Sequence, residues 1–164
     1  MEDFDVILFD ENHRMVQEFK SRKEFEEFCG SVDVSRWYVV DVSSSANYLD
    51  TMMKLQMMFQ GRMGRYPAPL ETHARTQQVM NNTLYAEAEM HEFLRELQYF
   101  KSWKTYDWDS DEKVQHYGAA LEEFADIMHF IINMALDMGF TAADIYNAFV
   151  SKNIVNHQRQ DQGY

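Results

Sequence analysis

Cysteine is nearly absent from this chain: the single Cys29 has no partner for an internal disulfide, and a thiol nucleophile is a poor basis for its chemistry. Basic residues are scarce, with 15 Lys and Arg against 27 Asp and Glu, and the formal charge is -12. That balance excludes broad binding of nucleic-acid polymers, which needs a basic surface to displace phosphate counterions. Long apolar runs are missing too. The best candidate, IMHFIINMALDMGF, is interrupted by His129, Asn133 and Asp137, too short and too polar for a bilayer, and reads as a buried helix. The start, MEDFDVILFDENH, lacks the basic and apolar regions of a secretory signal, so the expected location is the cytoplasm, with no membrane partner. What is present is 164 residues at 46% hydrophobic content, enough for one domain with a small appendage. Twelve Met, twelve Phe and nine Tyr point to a packed, adaptable interior.

DVILFDENHRMVQEF alternates around a DENH turn, KEFEEFC is helical in pattern, and WYVVDV at 37–42 is a further β-rich run. Residues 1–46 therefore read as a small β-β-α-β element, with SSSAN as the junction to a helical domain over 47–164. In that domain LDTMMKLQMMFQGRMG places Leu49, Met52, Met53, Met57 and Phe59 broadly on one side, then breaks at Gly61, Gly64, Pro67 and Pro69. Two long helical stretches follow, LETHARTQQVMNNTLYAEAEMHEFLRELQYF and VQHYGAALEEFADIMHFIINMALDM, separated by the polar KTYDWDSDE. Gly139 ends the second, and Thr141 caps a last helix with Asp144 in its first turn. The fold class is mainly α, a helical bundle with a β-rich appendage.

Residues three apart on a helix are separated by about 60°, so Glu89 and Glu92 share a face, which Glu96 continues, and Glu123 and Asp126 repeat the arrangement. Like charges at this spacing repel, and a converging set calls for a counterion. Carboxylates alone favour Mg2+, or Mn2+, over zinc, because no His or Cys stands at a zinc-ligand spacing. Apolar Phe124, Ile127, Met128, Ile131 and Ile132 surround Asp126, which is expected to be partly buried. His91 and His129 point about 100° away from the adjacent acids and read as packing or supporting groups. The rival reading is a solvated helix face paired with Arg95 and Lys101.

In SKNIVNHQRQDQGY, Lys152, Asn156 and Arg159 fall at i, i+4 and i+7 and face one way, with Asn153 and Gln160 alongside. A mobile ammonium and a planar guanidinium suit a chain of phosphates. KSWK adds Lys101 and Lys104 around Trp103, which is expected to pack.

EMHEFLRELQYFKSWK, LEEFADIMHFIINMALDMG and KNIVNHQRQDQGY together resemble the all-α dimeric dUTPase family, which includes phage dCTP pyrophosphatases and is related to MazG-type pyrophosphohydrolases. The likeness runs from Leu49 to Tyr164. Its most specific part is the ending K-N-x-x-N-x-x-R-Q-x-x-G-Y, complete here as Lys152, Asn153, Asn156, Arg159, Gln160, Gly163 and Tyr164. PLETHART resembles the matching region of the phage enzymes. The resemblance implies Mg2+ on Glu89, Glu92, Glu123 and Asp126, which are also the catalytic residues. It implies phosphates held by Lys152, Asn156, Arg159 and Tyr164, with Gln56 as a further nucleotide contact; the KSWK segment, read from its residues, offers Lys101 as another substrate contact. It implies a dNTP pyrophosphatase, dUTP first and dCTP second, acting as a homodimer in the cytoplasm, that of the host if a phage encodes it.

Uracil and cytosine differ in their hydrogen-bonding edges, for which Gln56, Asn81 and Asn82 are candidate readers. A broad-specificity MazG-like hydrolase and a non-catalytic helical interaction protein are the competing readings. The Met-rich MMKLQMMF exceeds what one buried face needs, which also favours a homodimer.

Overall fold

The computed structural model describes residues 4–43, 47–97, 103, 105, 112–161 and 163, with backbone alone for 112–116 and 161. Its elements are β1 (Val6–Phe9), β2 (Met15–Phe19), α1 (Arg22–Ser31), β3 (Tyr38–Asp41), α2 (Tyr48–Arg62), α3 (His73–Glu96), α4 (Glu112–Met138) and α5 (Ala142–Asp161). The mainly α architecture with a three-stranded amino-terminal sheet is the one the sequence patterning implies. The chain packs as two compact units, Met1–Tyr66 with Gly139–Tyr164, and Pro67–Met138.

In the first unit the sheet has order β2-β1-β3, with β1 antiparallel to both neighbours. Alternation sends successive residues of β1 to opposite faces. Val6 and Leu8 join Phe19 under Phe25 and Phe28 of α1, while Phe9 and Val40 pack with Leu55 and Met58 of α2. Leu8 is fully buried, and each such side chain contributes about 1.5–3 kcal/mol of burial. The SSSAN junction falls largely outside the described residues (44–46), and the helix after it lies on the sheet.

The turn between β1 and β2 is pinned by Asp10, whose Oδ1 accepts from the backbone N–H of Asn12 at 2.8 Å and of Arg14 at 2.9 Å. This leaves His13 at φ 60°, its ring stacked on Tyr38 at 4.9 Å. The same ring fills the space beside Gly61, where an added Cβ would come within 2.6 Å of it. Gly61 therefore does not break α2, as expected from sequence, but lets the turn approach the helix. The helix ends one residue later, at Arg62, and Gly64 adopts φ 66° just beyond.

The expected apolar side of α2 is also rotated. Met53, Gln56 and Met58 are the buried residues, whereas Met52, Met57 and Phe59 are exposed. The sheet selects the stripe of Leu55 and Met58, three residues apart, and composition alone does not reveal where that cover lies.

In the second unit α3 begins at Thr72, whose hydroxyl accepts from the N–H of Arg75 at 3.2 Å. It packs on α4 as an antiparallel hairpin. Asn82 meets Asp137, Thr83 meets Met134, Tyr85 meets Phe130 and Phe93 meets Phe124, so positions ascend on one helix as they descend on the other. Among the described residues no helix is long and apolar enough to cross a membrane.

Candidate active site

The hairpin brings the acids of two helices to one level. Ring pairs flank that level, Tyr85 with Phe130 at 5.4 Å and Phe93 with Phe124 at 6.0 Å. Ala86 and Ile127 are buried at this level. Between the ring pairs, Glu89, Glu123 and Asp126 each offer a carboxylate oxygen, and these oxygens lie within 4.8 Å of one another. Glu92 is outside that triplet yet close enough to act on both glutamates. Partial desolvation, then the carboxylates of Asp126, Glu92 and Glu123, raise the Glu89 pKa above its ordinary value. Glu123 is raised likewise, by desolvation and then by Glu92, Asp126, Glu96 and Glu122. The cluster is thus a concentration of negative charge that resists ionising.

Asp126 is exposed rather than partly buried. Phe124 and Ile131 are exposed with it, and of the apolar surround read from the sequence only Ile127 and Ile132 are fully buried. His91 and His129 are exposed. Trp103, expected to pack, is 78% exposed.

The donor set suits a hard divalent cation. All three converging ligand atoms are carboxylate oxygens, none is nitrogen or sulfur, and a cation would relieve the repulsion that raises both glutamates.

Of the other predicted contacts, Gln56, Lys152, Asn156 and Arg159 belong to the first unit. Lys152, Asn156 and Arg159 lie exposed along α5, with Asn153 and Gln160 beside them, and α5 touches α2. The helix is started by a reciprocal cap: the Thr141 hydroxyl accepts from the Asp144 N–H at 3.1 Å, and Asp144 Oδ2 accepts from the Thr141 N–H at 2.9 Å. Gln56 is 3% exposed on α2. Lys101 and Tyr164 lie outside the described residues.

Of the two asparagines considered as base readers, Asn81 accepts from Gln77 at 2.9 Å and Asn82 donates to Asp137 Oδ2 at 2.8 Å. The second contact belongs to a polar set that sequence reasoning missed, in which Arg75 and Asp137 are buried and Asn82 partly so. Its signal was the interruption of an apolar run by Asp137; its partner stands 55 residues away.

No solved structure matches the chain. A dCTP pyrophosphatase of Enterobacteria phage T4 is 43% identical over 42 residues, 26% of this chain and 25% of that protein, so the match spans about a quarter of that relative's length. The family model described as dUTPase matches residues 48–142 and 131–164. Those ranges take in α2 to α5 and all the candidate acids, and on that match, well over half its length, the chain belongs to the dUTPase family.

Proposed function

We propose that this chain hydrolyses a deoxyribonucleoside triphosphate to the monophosphate and pyrophosphate, with Mg2+ or Mn2+ held by Glu89, Glu92, Glu123 and Asp126. The observation that carries this is the convergence of carboxylates from α3 and α4 in a chain of the dUTPase family. When bound, the cation would neutralise phosphate charge and acidify a water molecule. The protein's share is electrostatic and positional. One of the glutamates would accept the proton of that water. Lys152 and Arg159 would pair with the charge that builds up on the departing pyrophosphate, and Asn156, Tyr164, Lys101 and Gln56 would orient the nucleotide. No covalent intermediate is needed.

The base is a pyrimidine in this reading, dUTP first and dCTP second. The family model carries the name dUTPase, whereas the phage relative is named a dCTP pyrophosphatase. Pyrophosphate release from dUTP, dCTP, dTTP, dATP, dGTP and UTP decides between them. Activity confined to dUTP and dCTP supports the reading; equal turnover of purine nucleotides would replace it with a MazG-like hydrolase of broad tolerance. Asp126→Ala is expected to lose at least 100-fold in Mg2+-dependent release and the Mg2+-induced rise in Tm. Unchanged release by this variant would leave a non-catalytic helical protein as the better account. A homodimer is part of the proposal.

A further inference from the structure

The acid cluster is self-repelling, and Ala86 is the only buried hydrophobic residue that α3 brings to the seam holding it together. Apolar burial is not directional, so by itself it specifies the register of two helices weakly. A slip of one turn moves a helix by about 5.4 Å, more than the spread of the three carboxylate oxygens, and would dismantle the cluster.

A polar set crosses the same seam. Asp137 and Arg75 are almost fully buried and Asn82 is partly buried, and the Asn82 amide donates to Asp137 Oδ2 at 2.8 Å across the hairpin. The positive charge of Arg75 acts on the same carboxylate. Arg75 is itself fixed, its Nε donating to the Ala68 carbonyl while the Ala68 N–H donates to Gln78 Oε1 at 2.8 Å. Arg75, Gln78, Asn82, Ala86 and Glu89 succeed one another at three- and four-residue steps, so the anchored residues and the first acid lie on one stripe of α3. On α4, Asp137 lies eleven residues, about three turns, from Asp126, which returns it to the same face.

From this geometry we infer that Asp137, through Asn82 and Arg75, is a positioning residue that sets the register of α3 against α4 and thereby assembles the carboxylate cluster. A buried hydrogen-bonded charge satisfies its partners in one register alone, the use for which buried polar groups are best attested. The inference rests on the proposed function for its catalytic consequence, but not for its structural one.

The test exchanges the partners. Asn82→Asp sets two carboxylates against each other; Asn82→Asp with Asp137→Asn restores one amide and one carboxylate. Spin labels on Ala88→Cys and Ala125→Cys, both exposed, report the spacing across the hairpin in the 164-residue chain carrying Cys29→Ser, without need of metal or substrate. The single exchange is expected to broaden the distance distribution or move it by several ångströms, to weaken Mg2+ binding at least tenfold by calorimetry, and to lower kcat more than KM. The double exchange is expected to recover the unaltered distance and Mg2+ affinity within about threefold. Unchanged spacing in the single variant, or no recovery in the double, overturns the inference. Recovery of spacing in a chain that releases no pyrophosphate would overturn the proposed function and leave the inference standing.

Discussion

Single residues in this protein are defined as much by what faces them as by their own chemistry. The pKa values of Glu89 and Glu123 are raised above the ordinary glutamate value, first by partial desolvation and then by the acids gathered around them from both helices. Asp144 shows the opposite case. The Thr141 hydroxyl and N–H both donate to it and lower its pKa below the ordinary 3.8. Its contribution to stability is therefore present above about pH 3.8 and is lost as pH falls through the lowered folded-state value. Asp144→Asn is accordingly expected to lower Tm at pH 7 and to make no difference once both proteins are well below pH 3. Thermal melts across that range check the sign; a gap in Tm that widens toward acid would contradict it. The acids and this cap were legible in the sequence because both depend on spacing within one helix. The exposure of Asp126 was not, since it depends on which side of α4 another element covers.

At the scale of elements, the amino-terminal sheet is joined to α2 by shape at one place. The His13 ring lies between Tyr38 and Gly61, and a methyl group at position 61 would collide with it. Gly61→Ala gains helix propensity of up to about 1 kcal/mol but overpacks a site where such insertions cost about 1–3 kcal/mol. It is expected to destabilise the unaltered protein. In a His13→Ala background the same change is expected to be neutral or stabilising. A double-mutant cycle by urea unfolding measures the coupling; additive effects would mean that the ring moves aside freely. Nothing in the local pattern of MMFQGRMG distinguishes a glycine that ends a helix from one that admits a neighbour. The β-β-α-β order, by contrast, is written in alternation and turn residues, and the strands pair as that order suggests.

Across the whole molecule, apolar surface is left uncovered in both units. Leu84, Leu121 and Phe124 are about half exposed or more on the α3 and α4 hairpin, and Tyr146, Phe149 and Ile154 are exposed on α5. Helices apolar on more than one side call for a further partner, and the proposed homodimer supplies one. Light scattering on a size-exclusion column is expected to give about twice 19.5 kDa at micromolar concentration. A mass of one chain would remove the dimer from the account. Such a dimer would also explain why Phe124 and Ile131, beside Asp126, are outward in the single chain.

The sequence by itself determined the helical class, the amino-terminal β element, the order and capping of the helices, the two acidic pairs and the carboxy-terminal polar stripe. All of these are local: they follow from the 3.6-residue period, the two-residue alternation and the residues that start and stop helices. Tertiary structure alone decided which carboxylates converge, which face of α2 is covered, that Asp126 is exposed, that Gly61 receives His13, and that Asn82 is committed to Asp137. Each of these joins residues distant in the chain, and packing and hydrogen-bond geometry choose such pairs from many that composition permits equally well.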